Sequence, residues 1–249
     1  MKKLIVVFII HLAITGCATL PPIPNFEMTQ GAKVGLFIDI GNQVRHAHIG
    51  TTVFNNFNKT YPYDWNLAHI ATKSFEQSLK KKGFVVVDLN SAGFKLDDIN
   101  ALIIAQDKNW KQNLAKTDII KKLQDELNLR AIIIVEEQRV MASMECSSGG
   151  CIERYIDGCG LYTRSILGVT QYKAVAALAT IIYLFNPPAF LSAGDAWRFQ
   201  WKLRTMTLSN FSKPNDFRDI TEKEFEPVRV AIENYITNTA DKAANSFNL

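Results

Sequence analysis

Two histidines separated by one residue are the first candidates for chemistry in this chain. His46 and His48 lie in a segment that can form a strand, and residues two apart in a strand point to the same side. Two imidazoles on one face could supply half of a metal site, since imidazole is a common ligand of transition metals. The spacing marks no third ligand. We therefore interpret the two residues as exposed strand histidines, and we predict no metal site and no cofactor.

Three cysteines form the second candidate group, because Cys146, Cys151 and Cys159 lie in or beside a Ser/Gly-rich segment. In an oxidising compartment, one disulfide among them is expected. A Cys146–Cys151 bond would staple a tight turn, whereas Cys146–Cys159 would close the base of a hairpin. The Ser-Ser-Gly-Gly spacer favours the first pairing. A closed structural zinc site is disfavoured, because it needs four ligands and no histidine lies nearby.

The acidic pairs do not predict a catalytic centre. Glu136 and Glu137 are neighbours in a predicted strand and would face opposite ways, and Asp97 and Asp98 suit a solvated surface. The sequence contains neither a Gly-x-Ser-x-Gly elbow nor a phosphate-binding glycine loop. We predict no catalytic residue. An enzyme acting on cell-wall or lipid material through an unrecognised site is the alternative.

The first seventeen residues have the layout of an export signal. Two lysines after Met1 precede an apolar run that ends at Ile14, and small residues lead to Cys17. The run is too short to span a bilayer. Residues 14–17, Ile-Thr-Gly-Cys, resemble the lipobox of bacterial lipoproteins. This resemblance implies cleavage after residue 16 and a diacylglycerol on the Cys17 thiol. Three acyl chains, palmitate among them, would then anchor the protein stably in a membrane.

The same resemblance implies a location. In enteric-type lipoproteins, an aspartate directly after the lipidated cysteine retains the protein in the inner membrane, and here that position is Ala18. We therefore expect the outer membrane, on its periplasmic face. Residues 17–32 contain prolines at positions 21, 22 and 24 and are predicted to form a semi-rigid lipidated tether. Residues 33–249 are predicted to form a single domain.

The charge balance bears on the choice of partner. The chain of 249 residues has a formal net charge of +4. Loss of Lys2 and Lys3 with the signal lowers this to +2. Such a near-neutral, exported protein is not expected to bind nucleic acid.

Hydrophobic periodicity predicts an α+β fold, with one mixed β-sheet and helices packed mainly on one face. An apolar run over 33–40 predicts the first strand. A helix over 65–82 follows, with Asp64 as its N-cap and Gly83 as a left-handed C-cap. The next strand spans 84–89. This order is a βαβ-like unit, in which the two strands are parallel.

The second half of the chain is predicted to be rich in strands. Thr117 caps a second amphipathic helix, and a buried strand over 131–135 runs on to about residue 141. Strands over 161–170 and 172–185 follow, the second of them long and buried on both faces. A buried helix is the alternative for 172–185 because part of it is alanine-rich. Thr221 caps a closing helix with an apolar stripe: Phe225, Val228, Ile232, Ile236 and Ala240.

An aromatic face is predicted shortly before the closing helix. Residues 197–207 alternate apolar with charged residues, which predicts a half-buried strand. Trp197, Phe199 and Trp201 would share one face of that strand. Such a face belongs most simply to the core. Alternatively, it is an exposed surface for a partner.

The element order resembles a known group of envelope proteins. The layout resembles the α/β domain of periplasmic lipoproteins related to the curli-secretion lipoprotein and to the amino-terminal domain of the Tol-system protein TolB. The features that carry this resemblance are the lipobox, the strand at 33–40, the helix ending in Lys82-Gly83 and the helix–strand segment at 119–135. Asn128 stands where those domains have a glycine. The resemblance covers about residues 33–207. Segments 48–57 and 160–165 also resemble a group of proteobacterial lipoproteins from which no activity carries over.

These patterns favour a non-catalytic, membrane-anchored envelope lipoprotein that binds or helps to assemble another envelope component. The likeness to the curli-secretion lipoprotein adds a secretion-channel component as a further alternative. That role requires an amphipathic hairpin able to join a barrel. Residues 172–185 are too uniformly apolar for such a hairpin.

Overall fold

The described part of the chain comprises residues 20–147, 150–191 and 205–247 of a computed structural model. Cys17, the predicted lipidation site, lies outside these residues. So do Trp197, Phe199 and Trp201, the predicted aromatic face. Both assignments therefore stay predictions.

The predicted α+β class is confirmed, but the strands divide between two five-stranded mixed sheets instead of one. The first sheet has the order β13-β12-β7-β1-β4: Pro188–Phe190, Leu178–Phe185, Leu129–Glu137, Lys33–Asp39 and Val85–Asp88. The second has the order β14-β11-β10-β2-β3: Thr205–Thr207, Val169–Ala176, Cys159–Ile166, Val44–Ile49 and Phe57–Tyr61. Two separate hairpins are β5 (Ile103–Gln106) with β6 (Asn109–Gln112), and β8 (Val140–Ser147) with β9 (Gly150–Ile156).

The helices of the described residues lie mostly in the first half and at the C-terminus. They are α1 (Leu67–Lys81), α2 (Leu96–Ile99), α3 (Thr117–Lys121), which continues as a π-helical turn over Lys122–Glu126, and α4 (Glu222–Asn245). No helix among the described residues combines the length and apolarity that a membrane crossing needs.

The βαβ-like unit is confirmed, because β1 pairs in parallel with both β4 and β7. Helix α1 ends as the sequence predicts, with Gly83 in the left-handed region at φ +83°. Its start differs slightly. Asn66 is the N-cap residue, and the predicted cap, Asp64, instead accepts a hydrogen bond from the Asn66 N–H at 2.9 Å.

Three strand predictions are wrong in their bounds. The strand predicted over 161–170 is a hairpin, because Leu167 and Gly168 both have positive φ and form the two-residue turn between β10 and β11. The strand predicted over 172–185 divides at Ala177, and its halves join different sheets. The strand predicted from residue 131 toward residue 141 ends at Glu137.

The closing helix follows the prediction in detail. Thr221 and Glu224 form a capping box at its start, and its predicted apolar stripe is buried. The Phe225 ring packs on Tyr61 at 4.9 Å, and beyond the other end of α4 the Phe247 ring packs on Phe84 at 5.6 Å. Helix α4 therefore extends from the end of β3 in the second sheet to the start of β4 in the first sheet.

The segment before β1 is packed against the domain from Pro21 onward. Pro21 and Phe26 are buried. The Trp110 indole N–H donates to the Pro22 carbonyl at 3.2 Å, and the Met28 N–H donates to the Phe247 carbonyl at 3.4 Å. Only residues 18–20 separate Cys17 from this packed segment.

Candidate functional site

Hydrogen bonds join two loops of the second sheet, which lie together at the C-terminal ends of the parallel strands β2 and β10. The Thr51 hydroxyl donates to the Ser165 carbonyl at 3.3 Å and accepts from the Leu167 N–H at 3.2 Å. The Arg164 guanidinium donates to the Gly50 carbonyl at 3.1 Å. We refer to residues 50–56 and 165–169 together as the apolar tip.

The apolar tip exposes large hydrophobic side chains. Its exposed members are Val53, Phe54, Ile166, Leu167 and Val169. Phe54 is 89% exposed and Leu167 86%, and the 3₁₀ turn at Val53–Asn55 buries none of its residues. Isolated exposed hydrophobic residues are ordinary, but a group of them on one surface indicates an interaction site. The sequence carries no local signal for this group, because exposed apolar residues in turns have no periodicity.

The apolar tip and the N-terminal segment lie at opposite ends of the molecule. Met28 bonds to Phe247 just beyond the C-terminal end of α4, whose 24 residues span about 36 Å. Before the N-terminal end of α4, Phe217 packs on His48 at 5.2 Å. Strand β2 then runs from His48 directly into the tip.

His46 and His48 share one face of β2, as predicted, but the prediction that they are exposed is wrong. His46 is fully buried and His48 is 8% exposed. The Thr163 hydroxyl on β10 bonds to His46 Nε2 at 2.8 Å and to His48 Nδ1 at 2.7 Å. The ring of Phe57 packs against both imidazoles at 5.1 Å. Their strand turns this face toward the core, which the local sequence does not show.

The buried histidine pair is neutral at pH 7. Burial, and to a smaller extent the nearby His48, lowers the pKa of His46 to about 4. Burial also lowers the pKa of His48. One hydroxyl can donate to one imidazole and accept from the other, so Thr163 bonds to one nitrogen of each ring, while His46 Nδ1 has no hydrogen-bond partner among the described residues. No group of three metal-binding side chains occurs among the described residues. The pair therefore joins β2 to β10 through the Thr163 hydroxyl.

Acidification should destabilise the fold through His46. Its pKa of about 4 in the folded chain lies below its ordinary value of 6.5, so between these values mainly the unfolded chain takes up a proton. Stability is therefore full above pH 6.5 and falls as the pH drops toward 4, by about 3 kcal/mol. Urea unfolding at pH 7 and pH 4.5 measures this difference.

The test variant is His46→Gln. Its matched control is His69→Gln, because His69 is exposed on α1. The first substitution should flatten the dependence of the unfolding free energy on pH, and the second should leave it unchanged. Equal pH dependence in the wild type and the His46→Gln variant would contradict the assignment.

The second sheet borders a cleft of about 760 Å³, and His46 and His48 are among the residues that line it. On the sheet face opposite the histidine side chains, hairpin β8–β9 packs Val140, Ala142, Met144 and Ile156, which form a second small core with Tyr162 and Val175. Beside the hairpin, the cleft extends to strands β2 and β3. Its lining includes Arg45, Arg139, Arg154, Tyr155, Asp157 and Tyr162. The arginines lie far apart in sequence, so their convergence could not be predicted without the fold.

The positions of Cys146 and Cys151 are compatible with a disulfide between these two residues but do not test it. Cys146 and Cys151 are opposite each other in the register of the β8–β9 hairpin, and their side chains lie outside the described set. Cys159 is a buried free thiol, and burial raises its pKa. The Cys146–Cys159 alternative is therefore not formed here, and Cys146–Cys151 stays a prediction.

The acidic pairs have structural contacts. Glu137 accepts a hydrogen bond from the Gly41 N–H at 3.2 Å and pairs with Arg45 at 3.5 Å. Glu136 accepts from the Gln138 amide at 2.8 Å, and burial raises its pKa. Asp98 caps α2 by accepting from the Lys95 N–H at 3.0 Å. The carboxylates of Glu136 and Glu137 thus have different partners.

Comparison with known proteins adds no relative. No family model matches the chain, and searches of curated proteins and of solved structures find no significant match. The resemblance to the curli-secretion lipoprotein and to TolB accordingly stays a prediction.

Proposed function

We propose that this chain is a non-catalytic lipoprotein, anchored through Cys17 at the periplasmic face of the outer membrane, that binds or helps to assemble another envelope protein. The observation that carries the binding role is the exposure of five large hydrophobic side chains on the apolar tip. Apolar surface of this kind gains free energy when a partner covers it.

The position of the N-terminal segment supports a protein as the occupant of the tip. Because Pro21 is packed on the domain, a lipid on Cys17 is held within about 14 Å of that packed segment. The apolar tip lies beyond the other end of α4, which is about 36 Å long. A chain anchored in this way directs its tip away from its own bilayer and toward the periplasm.

The surroundings of the tip also suit a protein interface. Asn55 and Asn56 are exposed beside Phe54, and the partly buried Arg164 braces the loop from below. An apolar centre with a polar rim is the common composition of protein–protein interfaces. The bonds between the two loops hold the tip in one conformation before binding, which lowers the entropy cost of association.

A photo-crosslinking amino acid at position 54 or 167 tests this role in native membranes. We expect one discrete adduct with another envelope protein from both positions. The exposed position Gln77 on α1 is the control and should give no such adduct. In addition, Phe54→Ser should reduce the adduct formed from position 167 by at least about tenfold, since anchors of this size often contribute more than 1.4 kcal/mol. Adducts only with lipid, only with a second copy, or equally from position 77 would contradict the proposal.

An enzyme acting on cell-wall or lipid material is the second candidate. One observation favours it: a cleft of about 760 Å³ in which several polar side chains converge. Incubation with purified cell wall and with phospholipids, followed by mass analysis of the products, separates the two roles. Turnover that is lost on Arg154→Gln would favour the enzyme.

A further inference from the structure

We propose that the cleft beside the β8–β9 hairpin binds an oxyanion, namely a carboxylate or phosphate group on a small molecule or at a chain end. This site is separate from the apolar tip and goes beyond the proposed role of the tip. It is built from side chains on β2, β9 and β10, so the fold itself fixes its geometry.

Several buried hydrogen-bond donors of the cleft-lining residues have no acceptor in the part of the chain that the structure describes. Arg45 Nε, Arg154 Nε and the Tyr162 hydroxyl are buried atoms without a hydrogen-bond partner among the described residues. All three residues line the cleft. Tyr162 is only 4% exposed, so its hydroxyl cannot be compensated freely by bulk solvent. Buried donors are nearly always paired in folded proteins, and a group of unpaired ones therefore indicates a missing acceptor.

The neighbouring carboxylates do not provide that acceptor. Glu145 Oε1 lies 3.8 Å from Arg154 Nη2 and 3.4 Å from Arg164 Nε, and Glu137 Oε1 lies 3.5 Å from Arg45 Nη2. These separations are ion pairs without hydrogen-bond geometry at the Nε atoms. Glu145 Oε1 is itself buried without a hydrogen-bond partner among the described residues, so the two glutamates pair with the guanidinium groups by charge and leave the Nε–H donors and the Tyr162 hydroxyl unbonded.

The charge of the lining favours an anion. Four cationic side chains, those of Arg45, Arg139, Arg154 and Lys59, line the cleft, and they outnumber the acidic ones, which are Asp157 in the lining and Glu137 and Glu145 beside it. Arg139 is held over the ring of Tyr155, with 5.0 Å between the guanidinium carbon and the ring centroid. Guanidinium groups bind carboxylates and phosphates through paired N–H donors, and a tyrosine hydroxyl adds one more donor.

The apolar lining of the cleft limits what the anion is attached to. Ala47, Ile49 and Val175 also line the cleft. This apolar part of the lining accommodates a short aliphatic or ring-shaped body next to the charged group. Inorganic phosphate and succinate represent the two kinds of oxyanion, and their relative affinities identify which kind the cleft prefers.

Titration calorimetry on the full chain in a nonionic detergent, at low ionic strength, tests the site. We expect saturable binding of inorganic phosphate, succinate or both by the wild type. Arg154→Gln should weaken this binding by at least about tenfold, because a charge-assisted hydrogen bond is lost. Tyr162→Phe should weaken it by about fivefold, and it keeps the ring that packs in the second core.

The matched control is Arg130→Gln, which removes an exposed arginine on β7 and leaves the net charge equal to that of Arg154→Gln. Its affinity should equal that of the wild type. If neither anion binds, or if Arg130→Gln weakens binding as much as Arg154→Gln, the oxyanion site is excluded. If Arg154→Gln does not fold, Tyr162→Phe decides, and unchanged affinity in that variant excludes the site. Crosslinking at the apolar tip is independent of all these outcomes.

Discussion

Replacement of Cys17 by serine should move the chain from the membrane fraction to the soluble periplasmic fraction. Three acyl chains on one residue exceed what stable anchoring requires, whereas a chain without them has no comparable attachment. No helix among the described residues is suited to cross the bilayer. We therefore expect a change from almost all of the protein in the membrane pellet to almost none. Fractionation of cells, combined with palmitate labelling, measures both steps.

Cys159→Ala is the matched control, because Cys159 is a buried free thiol of the folded domain. This variant should stay in the membrane fraction and incorporate palmitate as the wild type does. A Cys17→Ser chain that remains in the membrane fraction after a carbonate wash would contradict the lipid anchor. The proposed orientation of the apolar tip would then lose its basis.

Replacement of Gly160 by alanine should cause the largest loss of stability. Gly160 has φ +154°, and a Cβ atom at this position would lie 1.9 Å from the Arg45 carbonyl oxygen. Strands β2 and β10 are paired at this point, with Gly160 opposite Arg45. The strands would have to separate, and with them the histidine pair and the cleft. We expect a loss of about 3–5 kcal/mol in the unfolding free energy, measured by denaturant titration.

Gly93→Ala separates backbone strain from this steric conflict. Gly93 also has positive φ, at +80°, but no atom lies within 4 Å of its added Cβ. Only the strain of the left-handed conformation remains, which costs about 1 kcal/mol. If the two alanine variants lost equal stability, close contact between β2 and β10 would not be the determining factor.

Local signals in the sequence were sufficient for several elements. Thr221 with Glu224 at a helix start and Gly83 at a helix end are short-range patterns with a direct backbone cause. The parallel βαβ unit follows from the order of strand, helix and strand. These features depend on neighbours within a few residues, which the sequence displays.

The features that the sequence did not reveal depend on distant partners. His46 and His48 are buried by Thr163, which is more than a hundred residues away in the chain. The transition from β11 to β12 at Ala177 carries no polar or glycine signal, because both strands are apolar there. The cleft exists only because the β8–β9 hairpin packs on the second sheet. Apolar residues such as Phe54 were not predicted to be exposed, since turns lack periodicity.

The orientation of the apolar tip relative to the membrane is the most direct test of the proposed function. Energy transfer can be measured in proteoliposomes, from a fluorescent amino acid at position 54 or at position 108 to an acceptor on the lipid headgroups. Lys108 is exposed near Trp110, which bonds to the N-terminal segment. With a Förster distance shorter than α4, we predict efficient transfer from position 108 and weak transfer from position 54. Transfer from position 54 that equals or exceeds that from position 108 would contradict a tip directed away from the anchoring membrane.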